Sequence, residues 1–99
     1  FPRLQIVMGH AGARDAPAML EIASRHDNVW LGLHGQGVTQ LGEIIDRTGG
    51  ERLLFGTDWP WYHVGATLAK ILLCTEGQPA LRDRILSKNA LALLPGLAN

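Results

Sequence analysis

Two histidines and an aspartate stand at equal intervals in this 99-residue chain: His10, His34 and Asp58, each 24 positions after the last. An imidazole gives or takes a proton near neutral pH, and a carboxylate accepts a proton or holds a divalent cation. Gathered at one place, the three would make a site able to exchange protons with a bound group. The aspartate is the most conspicuous, because it ends the apolar run in LLFGTD and is followed at once by Trp59, Pro60, Trp61, Tyr62 and His63. Spacing alone leaves a second reading open for each: Asp58 also suits the cap of a following helix, and His10 and His34 suit polar strand ends bonded to backbone carbonyls.

The elements between these residues decide whether they meet. LQIVMGH is a short, nearly continuous apolar run, as expected of a strand covered on both faces in a parallel sheet. A helical pattern follows, with Asp15 as its cap, Pro17 in its first turn, and Met19, Ile22, Ala23 and His26 on one face; HDN breaks it. VWLGLHG reads as the second strand, and Thr39 opens a second helix that buries Leu41, Ile44, Ile45 and Thr48 and leaves through Gly49 and Gly50. RLLFGTD is the third strand. Leu68, Ile71, Leu72 and Thr75 mark a third helix ended by Gly77, and a last helix runs from Pro79 through Leu81, Ile85 and Lys88 toward Leu94, closed by Pro95 and Gly96. Strands alternating with helices make a parallel sheet whose strand ends share one rim, so three βα units of equal length would bring both imidazoles and the carboxylate to the same edge.

Composition sets the outer bounds. An apolar content of 46% with 18% charged residues is that of a globular domain with a core. Nine basic residues balance nine acidic ones without a basic stripe, so no nucleic-acid partner is expected. No apolar run is long enough to span a bilayer and no signal-like segment is present, so no membrane partner is expected and the cytoplasm is the default location. The lone Cys74, among Ile71, Leu72 and Leu73, reads as a buried, unreactive thiol. The chain starts at Phe1 and Pro2 instead of Met, which suggests part of a longer protein.

Three stretches carry a resemblance to a known family. FPRLQIVMGHAG resembles FP-x-L-x-x-x-x-x-H-x-G, RLLFGTDWP resembles R-x-L-F-G-[ST]-D-W/Y-P, and ILSKNALALL resembles the closing helix I-L-x-x-N-A-x-x-L of the amidohydrolase-related (amidohydrolase 2) family of metal-dependent hydrolases and decarboxylases. The fold implied is α/β: three βα units and a terminal helix, matching strands six to eight of a (β/α)₈ TIM barrel. Residues 1–99 would then be the C-terminal part of one barrel domain, without the early His-x-His metal pair.

The resemblance implies roles for single residues. Asp58 matches the eighth-strand Asp, which ligates the catalytic metal where there is one and takes the proton from the attacking water. His10 matches the sixth-strand His, a catalytic residue that polarises the substrate carbonyl or orients the nucleophile. His34 departs from the pattern, since that seventh-strand position is usually small or hydroxylated; a bonded structural His and a substrate contact both stay open. Trp59, Trp61, Tyr62 and His63 lie on the loop after the eighth strand, where a substrate pocket is built, with packing over the barrel end as the alternative. The implied cofactor is a divalent metal, with zinc expected and its other ligands outside this chain, although some members hydrolyse lactones without metal. The full-length enzyme is expected to be a homo-oligomer acting on a small molecule. Its reaction would be hydrolysis of a lactone, amide or related bond; a non-oxidative decarboxylation is the alternative, and a non-catalytic unit that associates with a partner is the third. The 99-residue chain alone is expected to be inactive.

Overall fold

Each strand forms where a short apolar run stands, in a computed structural model that describes residues 1–98. The order is β1 (Ile6–Met8), a 3-10 segment (Gly9–Asp15), α1 (Ala16–Arg25), β2 (Val29–Gly32), α2 (Val38–Thr48), β3 (Leu53–Leu54) and α3 (Val64–Cys74). Then α4 (Pro79–Asp83), a π-helical turn (Arg84–Lys88) and α5 (Asn89–Leu93) run on from one another, and a 3-10 turn (Pro95–Ala98) follows. The strands make one parallel sheet in the order β1-β2-β3, with Val7 opposite Trp30 and Leu31 opposite both Met8 and Leu53. The last helix is thus the one the sequence predicts, interrupted by a π turn that it does not.

The central strand explains why the sheet holds. All of β2 is buried, and Leu31 and Leu33 join Leu20 and Ala23 of α1, Leu41, Ile44 and Ile45 of α2, Leu53 of β3, Ile71 of α3 and Ile85 in one core. β1 differs from the expectation of a strand covered on both faces. Ile6 and Val7 are 39% and 49% exposed, because β1 has a neighbouring strand on one side only.

The helices divide in the same way. α2 buries Leu41, Ile44 and Ile45 as the spacing predicts, and Gly49 leaves it in the left-handed region with φ 64°. On α1 the buried face is Ala16, Leu20 and Ala23, while Ile22 is exposed; Asp15 occupies the cap position without a side-chain bond, and His26 is exposed. On α3 the buried residues are Thr67 and Ile71, followed by Thr75, while Leu72 and Leu73 face outward. Cys74 is half-buried rather than buried, its Sγ 3.6 Å from the Val38 carbonyl; burial and the nearby Asp46 push its thiol pKa up.

Two side chains tie the strand starts together. Arg52 donates to the carbonyls of Ala23, His26 and Val29, which closes the end of α1 onto β2 and β3. Asn89, buried at the start of α5, donates to the carbonyls of Gly50 (2.8 Å) and Leu53 (2.9 Å). Among the described residues no helix is long and apolar enough to cross a membrane.

Candidate active site

His10 lies just past the end of β1, His34 just past β2 and Asp58 on the segment after β3, so parallel strands carry all three to one rim. The structure brings them into contact. Nε2 of His10 stands 3.6 Å from Oδ2 of Asp58, an ion-pair approach too long for a direct hydrogen bond and with both side chains partly open to solvent. The His10 and His34 ring centroids are 4.2 Å apart, with planes tilted by 60°. His10 and Asp58 both have left-handed backbone, with φ 55° and 60°. That conformation is costly for a residue with a Cβ and gathers at sites where geometry matters more than local comfort.

His34 is seated among glycines. A Cβ on Gly32 would come within 3.2 Å of its Cε1, and a Cβ on Gly56 within 3.1 Å of its Nδ1, so Gly32 on β2 and Gly56 just after β3 leave room for the ring. Burial lowers its pKa below the usual imidazole range, the proximity of His10 lowers it further, and Asp58 opposes both. The ring is therefore held toward its neutral form. Its Nε2 accepts a hydrogen bond from the backbone N–H of His10 at 3.2 Å, which places the proton of the neutral ring on Nδ1.

The loop after Asp58 turns at once, with Trp61 N–H donating to the Asp58 carbonyl at 2.9 Å and Trp59 N–H donating to Thr57 Oγ1 at 3.3 Å. Trp59, Trp61 and Tyr62 stand exposed beside the rim. His63 caps α3, its Nδ1 accepting from the Gly65 N–H at 3.0 Å. Sequence reasoning passed over Gln36. This buried residue donates from its side chain to the His10 carbonyl, and its own carbonyl accepts from Lys70 Nζ of α3 at 3.0 Å. The signal was only a lone amide side chain between Gly35 and Gly37.

The donor set can be tested against a divalent metal. One ligand atom from each of His10, His34 and Asp58 lies within 4.8 Å of the others, and nitrogen and carboxylate oxygen are donors that zinc accepts. Nε2 of His34 is already occupied by the His10 amide, and a closed zinc site takes four ligands. Asp58 fits as a ligand. The three residues as arranged do not make a closed site by themselves.

A parallel sheet with helices between its strands is an α/β fold, and the likeness to solved barrel structures makes this chain part of a (β/α)₈ barrel. It belongs to the amidohydrolase family, whose family model matches residues 1–96. No curated protein matches the sequence. Among solved structures, it is similar to a 2,6-dihydroxybenzoate decarboxylase complexed with 2,6-dihydroxybenzoate, at 23% identity and TM-score 0.71, over 93% of this chain and 35% of that one. The same enzyme from Rhizobium matches equally, at TM-score 0.71 and 23% identity over 93% and 35%. An amidohydrolase from Burkholderia multivorans with bound zinc aligns at 21% identity and TM-score 0.66, over 90% of this chain and 43% of that one. The chain thus spans well under half the length of the structures it resembles.

Proposed function

We propose that the chain carries the general base and the electrophilic assistant of a hydrolase that opens a lactone, amide or related carbonyl bond in the complete barrel. The observation that supports this reading is the approach of His10 Nε2 to Asp58 Oδ2, 3.6 Å across the ends of two different strands. Asp58, acceptor-only when ionised, takes the proton of the attacking water. His10 directs its imidazole to the carbonyl oxygen, where negative charge develops, and Asp58 passes the proton it took from water to the leaving group as the carbonyl re-forms. Trp59, Trp61 and Tyr62 supply apolar walls with a polar tip for a small organic substrate, and His63, whose Nδ1 is used in capping α3, offers Nε2 to it. Asp58 would also hold a divalent metal, zinc by preference as in the Burkholderia structure; when bound it supplies Lewis acidity toward the carbonyl.

A decarboxylase reading is favoured by a specific observation, the similarity to 2,6-dihydroxybenzoate decarboxylase. In that case the same pair would manage proton transfer to the ring carbon as carbon dioxide leaves. An assay of the full-length enzyme against aryl lactones and against dihydroxybenzoates separates the two. Asp58→Asn, which keeps shape and removes charge, should lower kcat by about 10² to 10⁴ with circular dichroism unchanged, and His10→Asn should lower it less. Near-normal turnover in Asp58→Asn with earlier unfolding would make the aspartate a structural cap and end the catalytic reading.

A further inference from the structure

We propose that His34 and Gln36 are positioning residues that clamp the His10 peptide from both ends, so that the His10 imidazole is presented to Asp58. This rests on the reading of His10 and Asp58 as the reacting pair, but the clamp itself is testable without turnover. The need for it lies in the backbone. His10, Ala11 and Gly12 are consecutive left-handed residues, with φ of 55°, 47° and 84°, and only the last is a glycine. Two L-residues in succession do not stay in that region unless surrounding groups hold them there.

The groups that hold them come from the segment after β2. The His10 N–H donates to Nε2 of His34 at 3.2 Å, and the His10 carbonyl accepts from the side-chain amide of Gln36. Both donors and acceptors of that one peptide residue are thus committed to side chains two positions apart on a neighbouring strand exit. Each clamp arm is itself fixed. The His34 ring lies against Gly9, Gly32 and Gly56, and Lys70 Nζ of α3 donates to the Gln36 carbonyl. Gly35, between the arms, completes the seat: its φ is 79°, and a Cβ there would fall 2.4 Å from Nδ1 of His10. His34 therefore spends its Nε2 on a backbone amide, and acts through His10.

The test uses ¹⁵N-labelled full-length protein at one fixed pH. Amide exchange at His10 is compared with that at Leu31 and Leu33 in the same molecule, and the His10 ¹⁵Nε2 shift is compared with and without Asp58→Asn. His34→Leu, which removes the acceptor, should speed His10 exchange at least about tenfold relative to Leu31 and Leu33, and should abolish the response of the His10 ring to Asp58→Asn. Gln36→Leu should do the same to a smaller extent. His34→Gln, whose Oε1 reaches as far as Nε2 and can accept the same bond, should restore both readouts. The proposal is overturned if His10 exchange and ring response are unchanged in both leucine variants, or if His34→Gln behaves like His34→Leu, which would reduce His34 to a space-filling ring. Normal turnover in Asp58→Asn would instead overturn the catalytic reading and leave the clamp decided by exchange alone.

Discussion

At the rim, the same imidazole that braces His10 carries a pH dependence. His34 is held toward its neutral form by burial and by His10, against the attraction of Asp58, so the folded chain binds a proton there less readily than the unfolded chain does. A group with a depressed pKa contributes stability that is fully present above the unfolded value, near 6.5 for an imidazole, and lost as pH falls through the folded value. The urea midpoint should therefore drop between about pH 7.5 and pH 5, and His34→Gln, which cannot titrate, should flatten that part of the profile. An equal drop in both proteins would assign the effect to other groups. How far the site was legible follows from the same residues. His10, His34 and Asp58 could be grouped from equal spacing alone, because parallel strands of equal repeat end on one rim. Gln36 could not, because its contribution is a bond to a backbone carbonyl on another strand, and no pattern of residue types announces that.

Among the elements, the closing of the sheet at β3 has the clearest energetic content. β3 is an edge, yet its outward groups are taken: the Leu53 carbonyl accepts from Asn89, and the Phe55 N–H donates to the Ile85 carbonyl at 3.3 Å. Ile85 lies in the π-helical turn, where the helix has widened and frees a carbonyl for use outside it. Asn89→Ala would leave the buried carbonyls of Gly50 and Leu53 without their donor, at a cost of about 2–3 kcal/mol for the two bonds. A fall in the free energy of unfolding by that amount, with unchanged denaturant slope, is the expected result; a value within about 0.5 kcal/mol of wild type would mean that the terminal helix does not seal this edge. The helix faces were read unevenly for a physical reason. α2 is packed between α1 and α3 and shows its period as Leu41, Ile44 and Ile45, with the expected Thr48 only half-buried. α1 turns Ala16, Leu20 and Ala23 inward and large Ile22 outward. α3 packs against α2, and its Leu72 and Leu73 stay outside.

For the molecule as a whole, the two edges of the sheet are unequal, and that sets how it should behave in solution. The β3 edge is occupied by the terminal helix, whereas β1 pairs with β2 on one side and leaves its other row of N–H and C=O groups without a strand. In a complete barrel every strand has two neighbours and no edge remains. Leu4, Ile6 and Val7 are exposed along the open side, so apolar surface and free hydrogen-bonding groups coincide there, which is the combination that templates pairing with another chain. The 99-residue chain is therefore expected to self-associate through β1, with an average mass in light scattering that rises with concentration. Val7→Lys places a charge on that edge and should shift the population toward monomer. Leu73→Lys, on the exposed side of α3 and equally apolar in the wild type, should leave association unchanged. A monodisperse monomer that unfolds in one sharp transition would show that three strands and their helices suffice as an independent domain. Association relieved by Leu73→Lys and not by Val7→Lys would move the contact from the sheet edge to the helical face.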